Sequence, residues 1–116
     1  TLPVDRDRVY LAGLSMGGYA TWELVARTPE RWAGAVAICG AGDPSHATRI
    51  AAVPVWATHG DVDAVVPIER SRAMIAALVE AGGRPIYSEY PGVGHDSWTP
   101  TLGSRHVWDW LFAQRR

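Results

Sequence analysis

Residues 10–20 read YLAGLSMGGYA and place Ser15 between two glycines in a G-x-S-x-G pattern. An apolar run precedes the serine and a helix-compatible run follows it, which predicts a strand, a tight turn and a helix. A turn this sharp strains the backbone, so we expect Gly13 and Gly17 to supply room and Gly18 to let the helix pack closely. The hydroxyl would then stand at the carboxyl end of a strand, where open α/β sheets bind ligands. Alone, the motif fits a structural turn as well as a nucleophile.

On either side of this turn, short apolar runs alternate with longer amphipathic ones. Continuously apolar runs indicate strands buried on both faces, as in a parallel sheet. The alternation therefore predicts an α/β fold, with a mostly parallel β-sheet of about four strands and flanking helices. The predicted strands are residues 9–14, 34–39, 54–59 and 85–90, and the predicted helices are residues 16–27, 68–81 and 101–114.

Length and composition predict one soluble domain over residues 1–116. The net charge is -1 and no long run of one sign occurs, so no nucleic-acid or anionic-membrane partner is expected. The single cysteine, Cys39, rules out an internal disulfide and is expected to be buried and inert. The chain begins at Thr1 rather than Met, so we expect a fragment, a processed product or a trimmed chain. The N-terminus therefore predicts no localisation.

Two later loops carry the partners that a nucleophilic serine needs. A serine hydroxyl requires a base, and the base requires a carboxylate to orient it. His95 follows the fourth predicted strand in PGVGHDSW and is the candidate base. Asp63, in HGDVDAVVP after the third strand, is the preferred acid, while Asp43 and Asp61 remain alternatives. His59, at the start of that stretch, is expected to be a structural hydrogen-bonding residue, and no spacing of His, Asp and Cys predicts a metal site.

Three stretches together resemble the C-terminal half of α/β-hydrolase carboxylesterases, in the phospholipase/carboxylesterase and feruloyl-esterase-like branch that borders on prolyl-oligopeptidase-like hydrolases. They are GLSMGGYATWELVARTPERWAGAVAICGAGD, HGDVDAVVP and YSEYPGVGHDSW. The resemblance implies a partial α/β-hydrolase domain that cleaves small-molecule carboxylic esters, with Ser15 as nucleophile, Asp63 as acid and His95 as base. It implies no metal or organic cofactor. The alternatives are a peptidase or thioesterase with the same triad, or a non-catalytic fragment or assembly module.

The same resemblance implies that the family's earlier strands lie outside this chain. The Met16 N–H would then be one oxyanion donor, with the second outside the chain, and Trp98 is a candidate for the wall of the substrate pocket. Residues 9–14 would form an apolar edge strand, which invites pairing with another chain. We therefore expect either attachment to a missing N-terminal half or a two-fold homodimer through this strand.

Overall fold

Four short strands pair in parallel in the computed structural model, which describes residues 3–116. They form one sheet in the order β1-β2-β3-β4, with helices between successive strands. The strands are β1 Tyr10–Leu14, β2 Gly34–Ile38, β3 Val55–Gly60 and β4 Ile86–Tyr90. The helices are α1 Met16–Arg27, α2 Ala47–Ile50, α3 Ile68–Glu80, α4 Trp98–Leu102 and α5 Arg105–Ala113, with single 3-10 turns at Pro29–Arg31 and Pro44–His46. The predicted α/β fold is confirmed.

The sheet presents the carboxyl ends of all four strands at one edge, because every pair is parallel. The register joins Leu14 to Ile38 and His59 to Glu89. The central strand β2 is buried along its whole length, as its apolar sequence predicts. The loops that follow β1, β3 and β4 therefore meet above one end of the sheet.

Apolar side chains cover both faces of the sheet. On one face, Trp22 and Val25 of α1 pack with Met74 and Leu78 of α3, and all four are almost fully buried. On the other face, Val107 and Leu111 of α5 pack with β2. Fully burying a side chain of this size stabilises the fold by about 1.5–3 kcal/mol. Over residues 3–116, no helix has the length and apolar character needed to span a bilayer.

The helix predicted over residues 101–114 is present from residue 105 as α5, but its predicted start is wrong, because residues 101 and 102 belong to the separate helix α4. Helix α4 ends at Leu102 and is followed by Gly103, a residue with low helix propensity. Ser104 then caps α5, since its hydroxyl accepts a hydrogen bond from the Val107 N–H at 3.4 Å. Helix α4 contacts β3 through the Thr101–Thr58 hydrogen bond, and after the interruption α5 packs against β2.

Candidate active site

The turn at Ser15 holds a backbone conformation that residues other than glycine seldom adopt. Its φ is 53° and its ψ is -116°. Such a conformation costs about 1–3 kcal/mol and persists only where the surroundings enforce it. The Ser15 N–H donates to the Ile38 carbonyl at 2.9 Å, and the Tyr19 N–H donates to the Ser15 carbonyl at 3.0 Å. These bonds tie the turn to β2 and to the first turn of α1.

Two of the three glycines around Ser15 are sterically required. A Cβ on Gly13 would lie 2.1 Å from the Gly17 carbonyl oxygen, and one on Gly18 would lie 2.7 Å from the Ile38 carbonyl oxygen. Gly18 therefore allows α1 to approach β2 closely, as the sequence predicts. The expectation that Gly17 supplies room is wrong for the described residues, because a Cβ there would meet nothing within 4 Å beyond its chain neighbours and the backbone of its own helix.

The loop that follows β4 is held against the loop that follows β3. The Val62 N–H donates to the Val93 carbonyl at 3.1 Å, and the Gly92 N–H donates to Asp61 Oδ1 at 2.7 Å. Gly60 permits this approach, since a Cβ there would lie 2.2 Å from the Val93 carbonyl oxygen. We call residues 61–67 the acid loop and residues 91–97 the base loop.

These loops bring three side chains into a continuous hydrogen-bonded row. Ser15 Oγ lies 2.8 Å from His95 Nε2, and His95 Nδ1 lies 2.8 Å from Asp63 Oδ2. The hydroxyl donates to Nε2 when the ring carries its proton on Nδ1, which in turn donates to the carboxylate. His95 is one-fifth exposed, whereas the Asp63 side chain is fully buried. The row can therefore move a proton from the serine to an imidazole whose other nitrogen is fixed.

Three N–H groups donate to the Asp63 carboxylate. Oδ1 accepts from the backbone N–H groups of Val65 and Val66, each at 2.8 Å. Oδ2 accepts from His95 and lies 3.3 Å from His59 Nε2. Burial alone would raise the pKa of Asp63, but the hydrogen bonds from His95, Val66 and Val65 outweigh it and hold the pKa below its usual value. The buried carboxylate therefore stays ionised at neutral pH.

The two alternative acids, Asp43 and Asp61, make hydrogen bonds elsewhere. Asp43 is exposed and caps the 3-10 turn at Pro44–His46, where its Oδ1 accepts from the Ser45 N–H and hydroxyl. Asp61 is also exposed and accepts from the base loop at Gly92. Of the three predicted acids, the structure brings only Asp63 to His95 within the part of the chain it describes.

Met16 and Trp98 lie beside this row in different ways. Met16 is the first residue of α1, a position whose N–H has no acceptor within the helix, and its side chain is exposed. The Trp98 ring meets the His95 ring edge-on, with centroids 5.4 Å apart, and also packs against the α5 face of the sheet. Trp98 therefore supports the base, and a role in the substrate pocket stays a prediction.

The model of the phospholipase/carboxylesterase family matches residues 1–106. This chain belongs to that family. Carboxylesterase SOBER1 of Arabidopsis thaliana is 27% identical over 114 residues, which cover 90% of this chain and 48% of SOBER1. The crystal structure of a thermostable esterase superposes with a TM-score of 0.94 at 42% identity, covering 97% of this chain and 32% of the esterase. The crystal structure of SOBER1 gives a TM-score of 0.77 at 26% identity, covering 93% of this chain and 53% of SOBER1.

This phospholipase/carboxylesterase chain spans about half the length of SOBER1 and a third of the thermostable esterase. The matched portion contains the strand–serine–helix turn together with the acid and base loops. The predicted family and the class of fold are both confirmed by these likenesses.

A cysteine lies next to the hydrogen-bonded row of Ser15, His95 and Asp63. Spacing along the sequence does not predict that it lies there. Cys39 follows β2, is fully buried and has a φ of 44°. Its sulfur lies within 4.8 Å of ligand atoms of Asp63 and His95. Burial raises the pKa of the Cys39 thiol, and the mutual hydrogen bond of the other two side chains occupies their facing atoms. We therefore assign no metal to this cluster.

Proposed function

We propose that this chain carries the catalytic residues of a serine hydrolase that cleaves carboxylic esters. The observation that carries the proposal is the pair of 2.8 Å contacts that link Ser15 Oγ, His95 and Asp63. Membership of the phospholipase/carboxylesterase family and the likeness to two esterase structures support the substrate class. The substrate would be a small-molecule ester bound at the carboxyl edge of the sheet.

Ser15 would act as the nucleophile. Its Oγ attacks the ester carbonyl carbon while its proton passes to His95 Nε2, and a tetrahedral intermediate forms. The Met16 N–H, at the positive end of α1, would donate to the oxygen that becomes negative. The C–O bond to the alcohol then breaks, and the Nε2 proton moves to the departing alkoxide, leaving an acyl group on Ser15.

Water would complete the cycle through the same base. It gives one proton to His95 Nε2 as its oxygen attacks the acyl carbon, and the acid product leaves when that proton returns to Ser15 Oγ. Asp63 would fix the ring with Nδ1 protonated and stabilise the imidazolium formed in both steps. The three N–H groups that donate to its carboxylate suit this role, because they keep it ionised and oriented.

Hydrolysis of small chromogenic esters by the natural full-length protein tests the proposal. Ser15→Ala should abolish turnover above background, because no other group replaces the nucleophile. Ser45→Ala is the matched control, since Ser45 is an exposed serine that bonds to Asp43 instead of to His95. Equal turnover by Ser15→Ala and the unaltered protein would contradict the assignment.

The free side of β1 would pair with a further strand. This strand lies at one end of the sheet, and both Ala12 and Leu14 are exposed. An edge strand presents unpaired backbone groups that act as a template for another strand. The further strand would come from the same natural polypeptide or from a second copy of the chain.

A further inference from the structure

His59 is a second, fully buried imidazole beside the proposed acid. His59 is the next-to-last residue of β3 and lies four residues before Asp63. Its Nε2 lies 2.8 Å from the Val66 carbonyl oxygen and 3.3 Å from Asp63 Oδ2. Its Nδ1 lies 2.7 Å from the Ser71 hydroxyl on α3, which also lies 3.3 Å from the Gly40 carbonyl.

The partners of His59 determine which nitrogen carries the proton. Both atoms that face Nε2 are acceptors: a backbone carbonyl of Val66 and an ionised carboxylate of Asp63. The atom that faces Nδ1 belongs to a hydroxyl, which can donate. A neutral ring with its proton on Nε2 satisfies the shorter contact at each nitrogen: Nε2–H donates to the Val66 carbonyl at 2.8 Å, and Ser71 donates to Nδ1 at 2.7 Å instead of to the Gly40 carbonyl at 3.3 Å.

We infer that His59 is a positioning residue for the proposed catalytic acid, an inference that rests on the proposed function. Its Nε2–H group donates to the Val66 carbonyl at 2.8 Å and lies 3.3 Å from the Asp63 oxygen that accepts from His95. Val65 and Val66 hold the other oxygen through their backbone N–H groups. His59 therefore holds the backbone at Val66, which with Val65 fixes Oδ1, and the carboxylate held in this way directs Oδ2 at His95.

Ser71 anchors this arrangement from outside the two loops. It lies on α3 and is buried, so its hydroxyl holds the His59 ring from the helix side. The position of the acid is therefore tied to α3 as well as to the acid loop. A predicted structural histidine thus has a direct contact with the proposed active site.

Two substitutions separate the roles of the two ring nitrogens. The amide nitrogen of His59→Gln lies near the place of Nε2 and keeps a donor for the Val66 carbonyl, whereas that of His59→Asn lies near the place of Nδ1 and faces Ser71. Ester turnover by the natural full-length protein should fall in His59→Asn by about 10–100-fold in kcat, the usual effect of losing an orienting partner, with little change in KM. His59→Gln should retain most of the kcat.

The far-downfield proton resonance of the His95–Asp63 hydrogen bond gives a second readout. It should move in His59→Asn and stay in place in His59→Gln. Thr58→Val is the matched control, because it removes a neighbouring buried hydrogen bond of β3, to Thr101, without touching the acid. This control should lower the melting temperature and leave both kcat and the resonance unchanged. Unchanged kcat and resonance in His59→Asn, or an equal loss in both His59 variants, would overturn the inference.

The unaltered protein provides a test that does not depend on whether the variants fold. Nitrogen-15 NMR of the imidazoles should show His59 protonated on Nε2 and unprotonated on Nδ1. The opposite tautomer would overturn the inference, because Nε2 could then donate nothing to the Val66 carbonyl that anchors the acid loop. Failure of the proposed function is recognised separately, by full turnover in Ser15→Ala.

Discussion

Replacing Gly60 with alanine tests whether contact between the acid and base loops positions His95. The new Cβ would stand 2.2 Å from the Val93 carbonyl oxygen and 2.4 Å from that of Gly94. A carbon in contact with a carbonyl oxygen stays about 3.3 Å away or more, so the base loop must retreat by about 1 Å. A misplacement of about 1 Å in a catalytic group can cost about 100-fold in rate. We therefore expect kcat/KM for a chromogenic ester to fall by about that factor.

The same substitution should cost less in stability than in turnover. Overpacking a buried site usually costs about 1–3 kcal/mol, which urea unfolding followed by circular dichroism would measure. Gly94→Ala is the matched control within the base loop, because its Cβ would have its nearest contact beyond its chain neighbours at 4.0 Å, with Asp96 Oδ1. It should turn over esters like the unaltered protein. Full turnover in Gly60→Ala would refute the view that this contact sets the position of His95.

Three further predictions concern the acid, its titration and the sheet edge. Asp63→Asn should lower kcat by about 10³–10⁴-fold with the fold intact, while Asp43→Asn should change it little; the reverse pattern in ester turnover would contradict the assignment. The folded-state pKa of Asp63 lies below its unfolded value of about 3.9, so its contribution to the free energy of unfolding is complete above that pH and is lost as the pH falls through the folded pKa. Urea unfolding across acid pH should show this loss, and Asp63→Asn should lack it. Ala12→Lys should reduce self-association of the 116-residue chain in sedimentation, and an unchanged association state would place the contact elsewhere.

Local pattern was sufficient to predict most of the elements. The helix predicted over residues 16–27 has those bounds in the structure, because a glycine-rich turn starts it and Pro29 follows its end. The sequence does not predict the break at Gly103. Val107 and Leu111 have helical spacing, but this spacing belongs to α5 and does not extend back into α4. Periodicity reports which face is buried and is insensitive to a change in helix direction.

The site depended on contacts between loops that lie far apart in sequence. Motif order favoured Asp63 over Asp43 and Asp61, and the structure places Asp63 against His95; the catalytic roles stay predictions. Two positions could not be predicted: Cys39 beside Asp63 and His95, and His59 Nε2 at 3.3 Å from Asp63 Oδ2. Both depend on how closely the ends of neighbouring strands lie. For the same reason, spacing alone did not reveal that Gly60 carries the steric constraint.

Labelling with a fluorophosphonate, mapped by mass spectrometry, tests the central claim most directly. The probe phosphonylates a serine only when a neighbouring base activates its hydroxyl, so it reports on Ser15 and His95 together. In the natural full-length protein we predict one adduct, on Ser15, that disappears in Ser15→Ala and forms much more slowly in His95→Ala. Labelling at another serine, or none in folded protein, would contradict the claim that these residues form the catalytic centre.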